Sequence, residues 1–501
     1  MNQDNGGIIG KINTPTTNVA SGVWSIQDQF ESQSSSIWPL AFPQTTFTNS
    51  CRFDDGSSDY LSRTPSSETN TKTWTFSCWT KKSTNEEYQT LLSGNSSTSN
   101  NTGFFFNDTD ELQFWNEISS SVNINIRTSA KFRDPSAWYH VVLALDTTQS
   151  TQSDRLKIYV NSVEQDLSIS TNVSSDQVTW INDNVVQQVG GPWGQTGSSY
   201  FDGYMAEVIL VDGQQLTPTS FGATNPVTNI WEPIAYAGTY GTNGFKLNFS
   251  DSSALGDDTS GNTNDFTANN LTSIDQSTDT PSNNFATLNS LTNNGTLSEG
   301  NLKVVTNTAL NDLTTASTIH VSEGKWYVEF KCVSSTSGTN YNIGITSDPS
   351  ENIRASEYIG QSADSYGVLG SNGNFYNNAS SVSYMNTFTA GDIIAIALDL
   401  DNNYIYFSKN GTWQNSGDPE SGSSGTGGKA ITAASSQSSG VYAFAVGDAT
   451  GSGSMTFEIN YGNPTFTISS GNSDAEGFGN FEYAVPSGYF ALCTKNLAEY
   501  G

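Results

Sequence analysis

The feature that most constrains this chain is the recurrence of apolar and aromatic side chains at every second position, in short runs cut by Gly, Asn and Asp. TWTFSCWTKK (Thr73 to Lys82) sets Trp74, Phe76 and Cys78 against Thr75 and Ser77, and RLKIYV sets Leu156, Ile158 and Val160 against Lys157 and Tyr159. A period of two puts alternate side chains on opposite faces of an extended strand. WYVEFKCV repeats the pattern with Trp326, Val328, Phe330 and Cys332, and FDGYMAEVILVDG places Tyr204, Ala206, Val208 and Leu210 on one face. IIAIALDL and YIYFSK are joined by Asp401-Asn402-Asn403, and Asn410-Gly411 makes the next tight turn, which together read as a hairpin meander. Half-buried strands need a second sheet over their apolar face. The expected fold class is therefore all-β, with two antiparallel jelly-roll or β-sandwich domains in tandem behind an extended N-terminal arm.

At 501 residues the chain has room for two or three domains, each long enough for its own core. Hydrophobic residues make up only 35% while aromatics reach 12%, so burial rests on large rings in strands rather than on helices rich in Leu and Ala. The formal net charge of -30, with only 19 Lys and Arg, excludes a nucleic-acid partner, because phosphate binding needs clustered cations. Such acidity suits solubility at high display density, work in salty water, or bound divalent cations. The four cysteines include no C-x-x-C pair, and His140 and His320 are the only histidines, so zinc chemistry is not expected. Cys78 and Cys332 share the apolar parity of their strands and read as buried thiols; Cys51 and Cys493 are not placed by parity. The N-terminus has no apolar signal region and no run of about 18 apolar residues occurs, so neither export by a signal peptide nor membrane insertion is expected.

Four segments follow. Residues 1–44 are polar with one amphipathic island, GVWSIQDQF, in which Ser25 is placed to N-cap a short helix and Ile26 and Phe30 share a face beside Trp24. Trp24, Ile26 and Phe30 form either a docking peptide for another protein or a strap on the chain's own first sandwich. Residues 45–225 make the first sandwich. Residues 226–295 hold a strand, GFKLNF (Gly244 to Phe249), and an irregular connector; that strand either completes the first sandwich or starts a small sheet of its own. Residues 296–501 make the second sandwich, with Ser416 to Ala430 expected as an exposed mobile loop and the tail packing back through Tyr489, Phe490 and Leu492.

WYHVVLALD, RLKIYVN and FDGYMAEVILVDGQQL together resemble a laminin G-like, concanavalin A-like sandwich, with Asp202-Gly203 at the turn before the closing strand. GKWYVEFK, NIGITS, SYGVLGSNGNFYN and GDIIAIALDLDNNYIYFSKNG resemble a SPRY domain. Both families usually bind rather than catalyse, and the pair, with the N-terminal arm and the closing FALCTKNL, resembles structural proteins of tailed phages of marine bacteria. The resemblance implies a virion surface protein, made in the host cytoplasm and assembled on the particle. Residues 1–44 would meet other virion proteins, a homo-oligomer is expected, and the sandwiches would attach to a host surface glycan or protein. A purely structural decoration or cement role, and a jelly-roll enzyme that cleaves glycans, stand as alternatives.

Candidate chemistry lies in the loops. Asp257, Asp258, Asn262, Asn264 and Asp265 gather carboxylate and amide oxygens around a flexible turn, which is what calcium needs and also what any Asx-rich turn looks like. Trp115, Trp193, Tyr200, Tyr376 and Trp413 sit in or beside Gly/Asn/Ser-rich turns, where rings either stack on the apolar face of a sugar or close the end of a sandwich. The SPRY resemblance favours Tyr376 and Trp413, because loops between SPRY strands are that family's usual partner surface. For catalysis, no G-x-S-x-G, H-E-x-x-H or phosphate loop is present, and Glu329 and Glu458 stand singly on the parity expected to face solvent. His140 reads as a satisfied sheet histidine. No catalytic residues are assigned, and a non-enzymatic binding protein is expected.

Overall fold

The alternating runs form strands, and the strands assemble into two sandwiches. The computed structural model describes residues 47–195, 199–226, 228–293, 295–306, 314–348, 357–449 and 453–501. The sequence-predicted anchor Trp24, Ile26 and Phe30 lies outside the described residues.

In the first sandwich, one sheet runs Val163–Glu164, Leu156–Val160, Tyr139–Asp146, Thr73–Lys82, Gly203–Asp212, Ser50–Phe53 and Gln276–Ser277, each strand hydrogen-bonded to the next. The facing sheet runs Leu167–Thr171, Ser121–Thr128, Leu112–Ile118, Asn100–Phe106, Gln89–Ser97, Val186–Val189, Tyr60–Arg63 and Thr267–Asn269. Trp74 meets Phe114 and Phe76 meets Phe104 edge-on across the gap, with centroids 5.8 and 6.2 Å apart. Such pairs knit the two apolar faces into one core. Of the two placements open to GFKLNF, the structure takes the first: Phe245–Leu247 pairs with Gly203–Asp212, Val208 opposite Leu247.

The closing strand departs from simple parity. Glu207 takes a left-handed backbone, φ 48°, and the register against Thr73–Lys82 shifts between Ala206 and Ile209. This bulge reverses the faces on either side of it. Met205 therefore joins Val208 and Leu210 in the core, while Tyr204 turns away and donates its hydroxyl to the Gly300 carbonyl at 2.9 Å.

In the second sandwich, one sheet runs Thr296–Ser298, Lys303–Val305, Met455–Asn460, Lys325–Ser335, Ile393–Asp399, Tyr404–Lys409 and Thr412–Trp413. It faces Thr314–Ala316, Ala443–Asp448, Tyr341–Thr346, Ser365–Leu369, Asn374–Asn377 and Ser380–Ser383. Trp326, Val328, Phe330 and Cys332 point into its core, as their spacing predicts. All four cysteines are buried and free.

The tail covers the outer face of this sheet. Phe490–Ala491 pairs in parallel with Trp326 and Tyr327, and Tyr489 and Phe481 pack with Tyr327, Tyr406 and Ala397 as an outer apolar layer. Two expectations are corrected by this layer. Glu329 does not face solvent: it is fully buried and accepts from Tyr327 Oη, Asn460 Nδ2, Glu482 N and Tyr483 N at 2.8 to 3.1 Å. The Ser416 to Ala430 insert is not a loose loop. It forms a short helical turn, Pro419–Ser424, whose Pro419 carbonyl accepts from Tyr489 Oη at 2.9 Å, and its end pairs Ala430 with Tyr404. The chain finishes in a helix, Thr494–Tyr500, that parity did not show.

Residues 47–217 and 239–501 belong to one compact unit, and residues 218–238 are assigned to another. In the latter, Gly222–Thr224 pairs with Trp231–Pro233 and Phe221 stacks on Tyr236. Among the described residues no helix is long and apolar enough to cross a membrane.

Candidate functional site

The outward face of the second sheet of the first sandwich is unusual for a solvated surface. Its cross-strand register lines up Asn125, Trp115, Gly103, Ser93, Gln188 and Ser62 as one row across neighbouring strands. Amides and hydroxyls dominate this row. One position has no side chain at all, and Trp193 fills the space over it. A Cβ on Gly103 would meet Trp193 Cβ at 2.9 Å, so only glycine lets the indole lie against the strand.

Trp193 reaches that place because its loop is held down. Gly190 and Gly194 both take left-handed backbones, φ 74° and 66°. Asn95 donates to the Pro192 carbonyl at 3.0 Å and accepts from Gly194 N at 3.0 Å, clamping the loop on both sides of Trp193. The indole then stacks on Phe105, centroids 4.8 Å apart and planes 8° apart, and meets Trp115 at 5.3 Å and 54°. Phe105 is fully buried, yet it belongs to this outward cluster and not to the sandwich core, which takes Phe104 and Phe106. Trp115 and Trp193 are half-buried, and Trp115 Nε1 has no acceptor among the described residues. Tyr88 flanks Phe105 at 5.8 Å and is 41% exposed.

Two of the five sequence-predicted rings, Trp115 and Trp193, are thus brought together. Tyr200 sits apart from that stack, paired with Tyr60 at 5.8 Å. Tyr376 and Trp413 lie on different sheets of the second sandwich. Tyr376 packs edge-on against Tyr358 and accepts from Asn372 Nδ2 at 2.8 Å, while Trp413 packs against Tyr327 at the margin of the outer apolar layer. Sequence reading missed Phe105 and Gly103. The signal was the run Phe104-Phe105-Phe106, in which strand alternation forces one ring outward whichever parity holds.

The acidic loop spends its oxygens on itself. Asp258 Oδ1 accepts from Lys246 N and Ser260 N, and its Oδ2 accepts from Asn264 N and Ser260 Oγ, all at 2.8 to 2.9 Å. Asp265 Oδ1 accepts from Asp258 N, and the Asn262 and Asn264 amides donate to the Gly244 carbonyl. Asn264 Oδ1 accepts from Arg63 at 2.8 Å. Asp257 donates its backbone N–H to the Ala254 carbonyl at 3.0 Å. The arrangement is that of an Asx-rich turn.

His140 and Asp110 are both committed to structure. His140 bonds Ser77 Oγ through Nε2 at 2.9 Å and stacks on Trp79, and burial holds its pKa down to about 3. Asp110, fully buried, pairs with Lys82 at 2.8 Å and Arg133 at 2.9 Å beside a cleft of about 600 Å³ whose lining includes Glu86, Glu87 and Leu291 but no aromatic ring.

Comparison with known proteins agrees with this architecture. The profile of the concanavalin A-like lectin/glucanases superfamily matches residues 55–220, and that of the SPRY domain matches residues 325–442. The chain carries these two domains in that order, each a binding-type module. A Ran-binding proteins 9/10 homolog of Drosophila melanogaster is 33% identical over 98 residues, 19% of this chain. The chain spans only 10% of that relative's length. Among solved structures, the SPRY domain of human HERC1 is 16% identical, with 32% of this chain and 87% of that one covered at a TM-score of 0.23. Stonustoxin is 16% identical over 35% of this chain and 27% of its own, at a TM-score of 0.25. A Bacteroides ovatus protein named as a candidate carbohydrate binder is 18% identical over 46% and 60% of the two chains, at 0.30.

Proposed function

We propose that the chain is a non-enzymatic recognition protein whose first sandwich binds glycan across the row from Asn125 to Gln188, with Trp193 and Trp115 as stacking rings. The observation that carries the reading is the indole of Trp193 laid over Gly103 among outward amides and hydroxyls. A pyranose presents apolar C–H faces and a rim of hydroxyls, and a ring bordered by the half-buried amides of Asn125 and Gln188 complements both. Nothing about core packing calls for this cluster, since the opposite faces of the same strands already fill the core. Single sites of this open kind bind weakly, and many copies on one particle raise the effective affinity by roughly 100-fold to 10,000-fold.

The setting we propose is the surface of a tailed-phage particle, many copies being fixed through residues 1–44 and Trp24, Ile26 and Phe30, as a homo-oligomer facing a host glycan. The resemblance in sequence supports this setting, and deleting residues 1–44 tests it by loss of the chain from purified particles. The glycan site is tested by affinity electrophoresis in host surface polysaccharides with Trp193→Ala, Trp115→Ala and, for the second sandwich, Tyr376→Ala and Trp413→Ala. Retardation lost in the first two variants and kept in the last two is expected. Unretarded wild-type protein whose removal makes particles fall apart would favour a cement role. Reducing ends released from the polysaccharide would favour an enzyme.

A further inference from the structure

Lys81 stands opposite Tyr204 in the ladder of the first sandwich, and its amine is enclosed. The side chain is 1% exposed and that of its ion-pair partner Asp279 is 0% exposed. Besides Asp279 Oδ2 at 2.9 Å, the same Nζ reaches the side-chain carbonyl of Asn284, Oδ1, at 2.7 Å and the Phe285 carbonyl at 3.1 Å. A buried ion pair needs only its carboxylate. Here a primary amine, a carboxylate and a carboxamide meet at hydrogen-bond distance, the amine and the amide coming from positions 203 residues apart.

Each of the three is held in place. Asn284 Nδ2 donates to the Ser136 carbonyl at 2.7 Å, which turns Oδ1 toward the amine. Its backbone is tied on both sides to Thr494, N–H to Oγ1 at 3.0 Å and carbonyl to N–H at 2.9 Å. Asp279 Oδ1 accepts from Trp138 Nε1 at 3.0 Å and from Phe285 N at 3.3 Å, so that Oδ2 is turned to Lys81. The Tyr204 ring lies 5.6 Å from Nζ and 6.3 Å from the Trp138 ring, and the two close the pocket with aromatic surface. Reactants fixed in contact, away from water, react as if at very high concentration.

We propose that Lys81 and Asn284 join through an amide bond between their side chains, with Asp279 as the proton acceptor. The ammonium proton passes to Asp279 Oδ2 along their hydrogen bond, which removes two buried charges and frees the amine lone pair. Nζ attacks Cγ of Asn284 and the Nζ–Cγ bond forms. The surplus proton on Nζ is relayed through Asp279 to Nδ2, the Cγ–Nδ2 bond breaks, and ammonia leaves past the half-buried Asn284. Asp279 keeps the proton it first took, and no oxidant or cofactor enters the balance. The bond ties the strand Thr73–Lys82 to the connector and closes a long loop of the chain, so it holds the first sandwich against unfolding.

The test is mass spectrometry of the full chain, folded, then denatured and reduced. A mass lower than that of the sequence by one ammonia is expected, with a tryptic product in which residues 73–82 and 247–303 are joined through Lys81 and Asn284. Asn284→Ala leaves the Lys81–Asp279 ion pair in place, so the loss of the bond is read apart from the loss of the pair. That variant should keep its full mass and melt below wild type. Asp279→Ala, checked for folding by circular dichroism, should also keep its full mass. Wild-type protein at full mass, or one short of an ammonia with its two peptides separate, would overturn the bond. Loss of water with the link mapped to Asp279 would overturn Asn284 as the partner, and a folded Asp279→Ala chain that still lost ammonia would overturn the role given to Asp279.

Discussion

Gly103 and Trp193 are made for one another: a Cβ on the glycine would begin 2.9 Å from the Cβ of the tryptophan. Gly103→Val therefore lifts the indole off Phe105 and opens the stack with Trp115. Valine suits a strand, so the fold is retained and stability moves by no more than about 1 kcal/mol. Glycan retardation should fall to the level of Trp193→Ala, and tryptophan emission should shift to the red as the ring meets water. Retained retardation in a folded Gly103→Val protein would remove Trp193 from the site.

Glu329 anchors the tail of the second sandwich. Its carboxylate serves the Tyr327 hydroxyl, the Asn460 amide and the backbone N–H groups of Glu482 and Tyr483. Glu329→Ala leaves buried donors unmet and should cost roughly 3 kcal/mol or more. Glu329→Gln keeps one acceptor oxygen and should cost less. Urea unfolding followed by tyrosine and tryptophan fluorescence separates the two, and equal stability of both variants would show that the tail is held by its apolar contacts alone.

How far the sequence could be read depends on the range of the interaction. Strand parity placed Trp74, Phe76, Cys78, Trp326, Phe330 and Cys332 in the two cores, because alternation is local and each strand carries its own copy. Parity was equally right that Glu329 lies opposite the apolar face of its strand. What hid its burial is that Phe481 and Tyr489, more than a hundred residues on, cover the other face. Parity failed at Tyr204 because one left-handed residue, Glu207, inserts a bulge that no composition rule marks. The acidic loop was ambiguous for another reason: the same Asp and Asn spacing makes a cation cage or an Asx turn, and only the direction of the hydrogen bonds tells them apart. Trp115 and Trp193 were legible as rings in or beside turns, but their meeting over Gly103 depends on a loop returning across the sheet.

Lys81 is buried on the first sandwich and donates to Asp279 Oδ2 at 2.9 Å, to Asn284 Oδ1 at 2.7 Å and to the Phe285 carbonyl at 3.1 Å. Asp279 in turn accepts from Trp138 Nε1 at 3.0 Å. Lys81→Met strands a buried carboxylate and should cost about 3–5 kcal/mol. Lys81→Met combined with Asp279→Asn removes both charges and should recover part of that loss. A double variant as unstable as the sum of the two single ones would mean that the pair is not coupled.

His140 makes stability depend on pH with a definite sign. Its folded pKa is lowered from 6.5 to about 3, chiefly by burial, so between these values the unfolded chain binds a proton that the folded chain refuses. Stability from this residue is thus complete above about pH 6.5 and is lost as pH falls toward 3. Asp59 works the other way. Burial raises its pKa from 3.8 to about 7, so its contribution declines as pH rises through that window. The two slopes overlap in the whole protein, and the informative quantity is the difference between wild type and His140→Gln. That difference should narrow steadily from pH 7 to pH 4; a constant difference would show that the imidazole is protonated in the folded state.

The two sandwiches should unfold together. Tyr204 of the first donates to the Gly300 carbonyl of the second at 2.9 Å, Asn301 of the second donates to the Ser83 carbonyl of the first at 2.8 Å, and Arg52 reaches Glu299 at 3.3 Å. Tyr204 and Asn301 are fully buried, so these bonds are shielded from water and each partner lost leaves a buried polar group unmet. Gly300 has φ 63°, and a Cβ there would strike the Tyr204 hydroxyl at 2.4 Å and its ring at 2.5 Å, so the turn between the first two strands of the second sandwich is shaped to receive that side chain. Calorimetry of the full chain should show one transition. Tyr204→Phe removes only a hydroxyl, should cost about 1 kcal/mol, and should move the whole transition down. Two transitions, with Tyr204→Phe shifting the first alone, would mean that the sandwiches are coupled only by the chain that joins them.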